Sequence, residues 1–460
     1  MRDPLDVIII GAGTAGLSAL REVKKRTQSF AIINDGPWGT MCARVGCMPS
    51  KALIAAANAF HARRQLEELG ITGGGGLAVD LAAVLRRVRA LRDDFVDGNL
   101  EVTSELGDRA ISGRARLLAP DLVSVNGREL RARRIILATG SSPIVPPAWL
   151  ALGEKLLTTD TLFEQETLPR RMAVVGQGAL GVELAQALSR LGLEVAALGD
   201  RDQVAGLSDP RVNAVAIELL RRELPVHLGA EAELTQTPLG VLVRAGRTQV
   251  EVDRVLVALG RRPRIEGLGL EALGLPLDAH GLPKVDASTM KVGGLPVFLV
   301  GDVRGDSALL HVASDDGHIA GLNATSSGVE RFQRRTPLAI VFCEPNVAMV
   351  GTKFSELGSQ ARIGEARFER QGRARIALQN AGVLRVYADH EGLLLGAELC
   401  APAGEHLAHL LALAIDRRLT VSELLRMPFY HPAFEEGLRS ALRELSSQLP
   451  APSDSDLTRV

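Results

Sequence analysis

The sequence predicts an α/β fold in which two nucleotide-binding units of one design are followed by a C-terminal region of mixed helix and strand. Three observations carry this: a glycine fingerprint occurring twice, each time between an apolar strand and a helical pattern; a small-residue turn closing each copy; and no such fingerprint beyond about Pro337. At about 100–200 residues per domain, 460 residues make roughly three domains, and 46% hydrophobic residues supply a sizeable core. Against 54 acidic side chains stand 53 Lys and Arg, a net charge of −1, so neither nucleic acid nor an anionic membrane is an expected partner. No run approaches the ~20 apolar residues of a membrane span, and Asp3 and Asp6 ahead of the first strand are unlike a secretory leader; the expected location is cytoplasmic.

The first copy runs from the strand Val7-Ile-Ile-Ile10 through Gly11-Ala-Gly13-Thr-Ala-Gly16 into a helix over Leu17 to Val23. In the second, Met172-Ala-Val-Val175 leads through Gly176-Gln-Gly178-Ala-Leu-Gly181 into a helix over Val182 to Leu191. The glycines permit a tight turn, close approach of a pyrophosphate to backbone N–H groups, and tight packing of helix on strand. The copies close on Ile135-Ile-Leu-Ala-Thr139-Gly140 and Val255-Leu-Val-Ala-Leu-Gly260. The first is the longer, and its surplus holds Cys42, Cys47 and a helical stretch from Lys51 to Leu69. Later, Val297-Phe-Leu-Val-Gly301-Asp302 reads as another strand end, its Asp302 either a turn residue or a carboxylate facing a cofactor.

The segment Gly39-Thr-Met-Cys42-Ala-Arg-Val-Gly-Cys47-Met-Pro-Ser-Lys51 carries the chemistry. On an ideal helix the two cysteines would lie roughly 7.5 Å apart, beyond the ~4.4–6.8 Å between α-carbons that a disulfide tolerates, so a bridge requires a distorted backbone. Gly46 and Pro49 offer local freedom and a break, and a strained bridge closing a tiny loop is the labile, catalytic kind. A metal would want two more ligands, and Cys343 and Cys400 have no matching spacing, so a redox disulfide is expected and no metal.

Two fingerprints, a C-x4-C-x-P-S-K segment and the late His431-Pro-Ala-Phe-Glu-Glu436 resemble the flavoprotein pyridine nucleotide-disulfide oxidoreductases along nearly the whole chain. The resemblance implies two Rossmann-like domains, for FAD and for NAD(P), plus a C-terminal α+β dimerisation domain. The expected boundaries are 1–149 for the FAD domain with the redox disulfide, 150–281 for the NAD(P) domain, 282–334 for a return segment completing the first, and 335–460 for the interface. It also implies that Cys42 meets substrate, that Cys47 lies beside the flavin, that Lys51 and Glu183 form an ion pair near the reactive flavin nitrogen, and that Asp302 binds the ribityl chain. His431 would be the acid–base group of a homodimer. An imidazole near pKa 6.5 exchanges protons with a thiol at neutral pH, with Glu436 holding its tautomer.

Several positions depart from the family pattern. Asn34 stands where an acidic residue usually meets the FAD ribose, Thr40-Met41 follow Gly39 in place of Gly-Thr, and Ala433 replaces threonine. In the second copy Gly199 occupies the place of an acidic reader, with Asp200 suited to a 2′-hydroxyl and Arg201 to a 2′-phosphate; NAD is slightly favoured over NADP. Pro-Ser-Lys51 resembles lipoamide dehydrogenases and mercuric reductases, Arg21 sits where glutathione reductases have an arginine, and the end of the chain has no cysteine pair of the mercuric type. The implied activity is electron transfer between a dihydrolipoamide-like dithiol, borne on a separate lipoyl carrier protein or free, the Cys42–Cys47 pair, FAD and NAD(P). The alternatives are an NAD(P)H-dependent reductase of a glutathione-like disulfide or of mercuric ion, and a redox-sensing flavoprotein without turnover.

Overall fold

The computed structural model describes residues 3–450 and 455–457; the outermost residues of the first and last expected domains, 1–2 and 458–460, lie outside them. The apolar run Leu5–Ile10 forms the central strand of a parallel sheet, flanked by Phe30–Asn34 on one side and Arg128–Leu137 on the other. Val297–Leu299 joins in parallel beyond Arg128–Leu137, although the whole second copy intervenes in sequence. The stretches Val7–Ile10, Phe30–Ile33 and Ile135–Leu137 of these strands are covered on both faces, which explains their unbroken hydrophobicity. The helices Thr14–Lys24 and Leu310–Thr325 pack on one face so closely that a β-carbon added at Gly317 would fall 2.0 Å from the carbonyl oxygen of Ala15.

A second parallel sheet repeats the design, in the order Val226–His227, Glu194–Leu198, Arg171–Val175, Arg254–Val257, Leu156–Leu157. Between the two sheets the chain passes out through Ser141–Pro143 and back through Arg261–Pro263, and these two segments pair antiparallel. The C-terminal region is a five-stranded antiparallel sheet, Leu338–Val341 at one edge and Arg362–Arg367 at the other, packed against Gly404–Asp416 and Glu436–Ser446. Among the described residues no helix is long and apolar enough to cross a membrane.

The expected helix from Lys51 to Leu69 differs in its bounds. It starts at Cys47, ends at His61 and loosens into a 3-10 turn, Ala62–Gln65. Unforeseen was a 24-residue helix, Leu81–Ser104, begun by Asp80, whose carboxylate accepts from the Ala83 amide at 2.9 Å.

Candidate active site

Both fingerprints divide their glycines by task. A β-carbon at Gly16 would fall 1.9 Å from the Gly11 carbonyl oxygen, and one at Gly181 would fall 1.7 Å from that of Gly176, so these residues let the helix touch the turn. The middle glycines, Gly13 and Gly178, face open space, with nothing within 4 Å of an added β-carbon. Each cradle therefore leaves room where a diphosphate meets backbone N–H groups at a helix N-terminus.

The cysteines sit on two helices, Met41–Val45 and Cys47–His61, broken at Gly46. Thr40 enters the first with φ +60 and caps it, its hydroxyl accepting from the Ala43 amide at 3.2 Å. The break supplies the backbone distortion that uninterrupted helical spacing would deny the pair. Both thiols are free here and face one another. The hydrogen bond from Cys42 lowers the Cys47 thiol to about 7, opposed by burial and helped by the Lys51 ammonium. The same bond, with burial, drives Cys42 upward. The pair thus holds its one negative charge at Cys47 near neutral pH.

Lys51 bridges the two oxygens of Glu183 at 2.9 and 3.1 Å, and Glu183, only 3% exposed, also accepts from the Phe342 amide at 2.8 Å. Two turns along the same helices a second rung repeats the contact: Arg190 donates to Asn58 at 2.7 Å, to both oxygens of Glu223 at 2.7 Å, and to the Glu344 carboxylate at 2.7 Å. Arg190 is buried and its bond to Glu223 largely shielded from water, while Glu344 is part-exposed; these charge-assisted bonds tie the cysteine helix, the second unit and the C-terminal region together. The sequence reading missed this node because its four members lie far apart in the chain.

The remaining candidates are dispersed. Asp302 accepts from the Ser141 hydroxyl at 2.7 Å, and that hydroxyl also accepts from Arg261 at 2.9 Å, where the chain crosses between units. Thr139 donates to the Arg264 carbonyl, and Gly140 and Gly260 adopt φ values of +73 and +95 at the two crossings. Gly39 takes φ +102 before the capped turn. Asn34 is committed to the turn it follows: its oxygen accepts from the Ala12 amide at 3.1 Å, and its amide donates to the carbonyls of Gly36 and Pro37. Asp200 and Arg201 are exposed at the end of Glu194–Leu198. The His431 Nδ1 lies 2.9 Å from Glu436, which also accepts from the Ala433 amide; the imidazole bond is what most lowers the Glu436 carboxyl. The His431 side chain is 80% exposed, beside an exposed Tyr430, and its ring bonds neither cysteine.

A cleft of about 490 Å³ opens beside the cysteine segment, between the first helix and Leu81–Ser104. Cys42 lines it; Cys47 does not.

Comparisons with known proteins agree with this architecture. Residues 5–317 match the family described as pyridine nucleotide-disulphide oxidoreductase, and residues 338–442 match its dimerisation domain. A dihydrolipoyl dehydrogenase of Thermus scotoductus is 33% identical, over 96% of this chain and 98% of that protein. A mercuric reductase of Lysinibacillus sphaericus is 27% identical, over 95% of this chain and 82% of that protein. Among solved structures, LpdA of Mycobacterium tuberculosis matches with a TM-score of 0.83 at 26% identity, over 95% of this chain and 99% of that one. The HOCl-induced flavoprotein disulfide reductase RclA of Escherichia coli, at 23% identity and a TM-score of 0.82, covers 95% of this chain and 99% of its own and shares the fold. With both the nucleotide-binding and the dimerisation portions matched, the chain belongs to the pyridine nucleotide-disulphide oxidoreductases.

Proposed function

We propose that the protein is a dihydrolipoamide dehydrogenase-like enzyme, working as a homodimer and favouring NAD over NADP. The observation that carries this reading is the asymmetry of the cysteine pair: Cys42 opens on the cleft, while Cys47 holds the thiolate beside Lys51. Members of this family use FAD and a pyridine nucleotide, and the open faces at Gly13 and Gly178 together with the Asp302 carboxylate suit two such ligands. FAD, when bound, carries two electrons between the Cys47 thiolate and the nicotinamide.

The protein's own residues do the rest. A substrate thiolate attacks Cys42 of the oxidised pair, the Cys42–Cys47 bond breaks and Cys47 leaves as thiolate; the second substrate thiol then displaces Cys42, giving substrate disulfide and enzyme dithiol. With Nδ1–H directed to Glu436, His431 presents Nε2 as the base for those thiol protons. Its exposure and its lack of any bond to the cysteines support a site shared across the dimer, with His431 serving the other subunit's pair. Turnover of dihydrolipoamide, oxidised glutathione and mercuric ion, each with NAD(H) and NADP(H), tests the assignment. Dihydrolipoamide with NAD should give the largest kcat/KM; turnover confined to glutathione or mercuric ion overturns it. Mixed dimers of Cys42→Ser and His431→Gln chains should regain activity at one site per dimer, and verified heterodimers as dead as their parents would exclude the shared site.

A further inference from the structure

The ion pair beside the reactive thiols has a third member. The Lys51 ammonium stands over the ring of Phe342, its Nζ 4.6 Å from the centroid, a distance at which an aromatic face attracts a cation. Lys51 comes from the cysteine helix and Glu183 from the second unit, whereas Phe342 follows the edge strand Leu338–Val341 of the C-terminal region. Three parts of the molecule therefore meet at one ammonium. The Lys51 side chain is one-third exposed, so water competes with the protein for it. Phe342 is itself anchored. Glu183, Gln186 and Arg190, three and four residues apart, share one face of the helix Ala179–Arg190, and all three are buried. Glu183 accepts from the Phe342 amide at 2.8 Å. Gln186 accepts from the Glu344 amide and donates to the Glu344 carbonyl, both at 2.8 Å. Arg190 donates to the same carbonyl at 3.2 Å and to the Glu344 carboxylate at 2.7 Å. Joining the units accounts for these bonds to the segment, but not for the ring's face lying on a partly exposed cation.

We propose that Phe342 is a positioning residue for the redox pair: its ring, anchored by Gln186 and Arg190, holds the Lys51 ammonium where it favours the Cys47 thiolate. The C-terminal region thereby acts on the reactive thiols of its own chain, apart from anything it supplies to a partner subunit. This rests on the reading that Cys47 is the thiol beside the flavin. The titratable groups that act on Cys47 are Cys42 and Lys51, which favour its thiolate, and Glu183, which opposes it. The test is made in Cys42→Ser enzyme loaded with FAD, where Cys47 is the one remaining part-exposed thiol, Cys343 and Cys400 being buried. Its alkylation by iodoacetamide is followed over a pH series, with the modified peptide identified by mass.

Phe342→Leu should slow alkylation at pH 7 roughly threefold and move the midpoint of the profile up by about half a pH unit, the size of one cation–π contact. Phe342→Tyr, which keeps an aromatic face, should match the parent. With Lys51→Met already present, Phe342→Leu should add nothing. Mono-, di- and trifluorinated phenylalanine at position 342 keep the ring's shape while draining charge from its face, and should slow alkylation stepwise. A rate indifferent to leucine and to fluorination, a tyrosine variant as slow as the leucine one, or an undiminished effect without Lys51 overturns the positioning role. If the leucine variant fails to fold, the fluorinated series decides. Alkylation needs no dithiol substrate. Slowing by fluorination in an enzyme that turns over none of dihydrolipoamide, oxidised glutathione and mercuric ion leaves the positioning role standing while the dehydrogenase reading fails; turnover of dihydrolipoamide with alkylation indifferent to the ring gives the converse.

Discussion

A β-carbon at Gly11 would lie 2.1 Å from the Ala138 carbonyl oxygen, and one at Gly176 would lie 2.3 Å from that of Ala258. The two nucleotide turns thus make the same demand on the backbone but are braced differently. In the first, position 12 is alanine, and its amide is held by Asn34 from the next strand. In the second, Gln177 takes the equivalent place and bonds the carbonyls of Val174 and Gly176 with its own side chain. The position matching Asn34 is then Gly199, where a β-carbon would lie 3.0 Å from the Leu228 side chain and 3.3 Å from that of Gln177. The brace has moved from strand to turn. Where a ribose reader is expected, one copy has an amide bonded within its own turn and the other a glycine, with Asp200 and Arg201 exposed just beyond it.

The strongest test separates packing from binding glycines. Gly16→Ala and Gly181→Ala each push a methyl into backbone and should cost about 3 kcal/mol or more, seen as a lowered denaturation midpoint or as insoluble protein. Gly13→Ala and Gly178→Ala should fold, the first losing flavin content and the second retaining flavin while losing NAD(P)H binding by titration. Equal loss of stability in all four would show that the division of tasks is false.

Next in size is the contact between the units. Lys51→Met removes the cation that helps Cys47 ionise, so its thiol should titrate above about 7 and its alkylation rate at pH 7 in the dithiol enzyme should drop roughly fivefold. The sign is fixed: less thiolate at a given pH, with the rate recovering as pH rises. Cys42→Ser keeps a hydroxyl donor and should leave Cys47 a thiolate, giving long-wavelength absorbance against the bound oxidised flavin; Cys47→Ser should show none, the opposite pattern would reverse the two roles and equal spectra would sink the assignment.

For the nucleotide readers, Asp200→Ala should raise the KM for NAD(H) by about tenfold with little change for NADP(H), and Arg201→Ala should do the converse. No selective change from either would place discrimination elsewhere. The smallest effect is a coupling: Gly199→Ala should destabilise by about 1 kcal/mol in the native background, by less when Leu228, at 3.0 Å, is alanine, and by less when Gln177, whose Cβ and Cγ both approach at 3.3 Å, is glycine. Additive stabilities would mean that the relocated brace is no constraint.

The glycine turns and the cysteine segment were legible because each is local, and because backbone geometry there admits few residue types. The Lys51–Glu183 pair was reachable only through resemblance, since nothing in the spacing of two charges on separate helices marks them as partners. Leu81–Ser104 escaped notice because Phe95 and Val102 face a cleft rather than a core, which leaves them part-exposed and blurs the apolar stripe. Asn34 was read as a cofactor ligand from its position; its hydrogen bonds depend on how the following turn folds back, which its residue type does not reveal.

The ladder of Ser141–Pro143 against Arg261–Pro263 has an architectural consequence. The chain leaves and re-enters the first unit through one doorway, so everything between can be exchanged for a foreign module without rerouting what stays behind. Such a transplant would be held by more than its two hinges. The host still presents Lys51, Asn58 and Glu344, and an incoming module lacking counterparts of Glu183 and Arg190 would strand a cation beside the reactive thiols and a carboxylate at the seam.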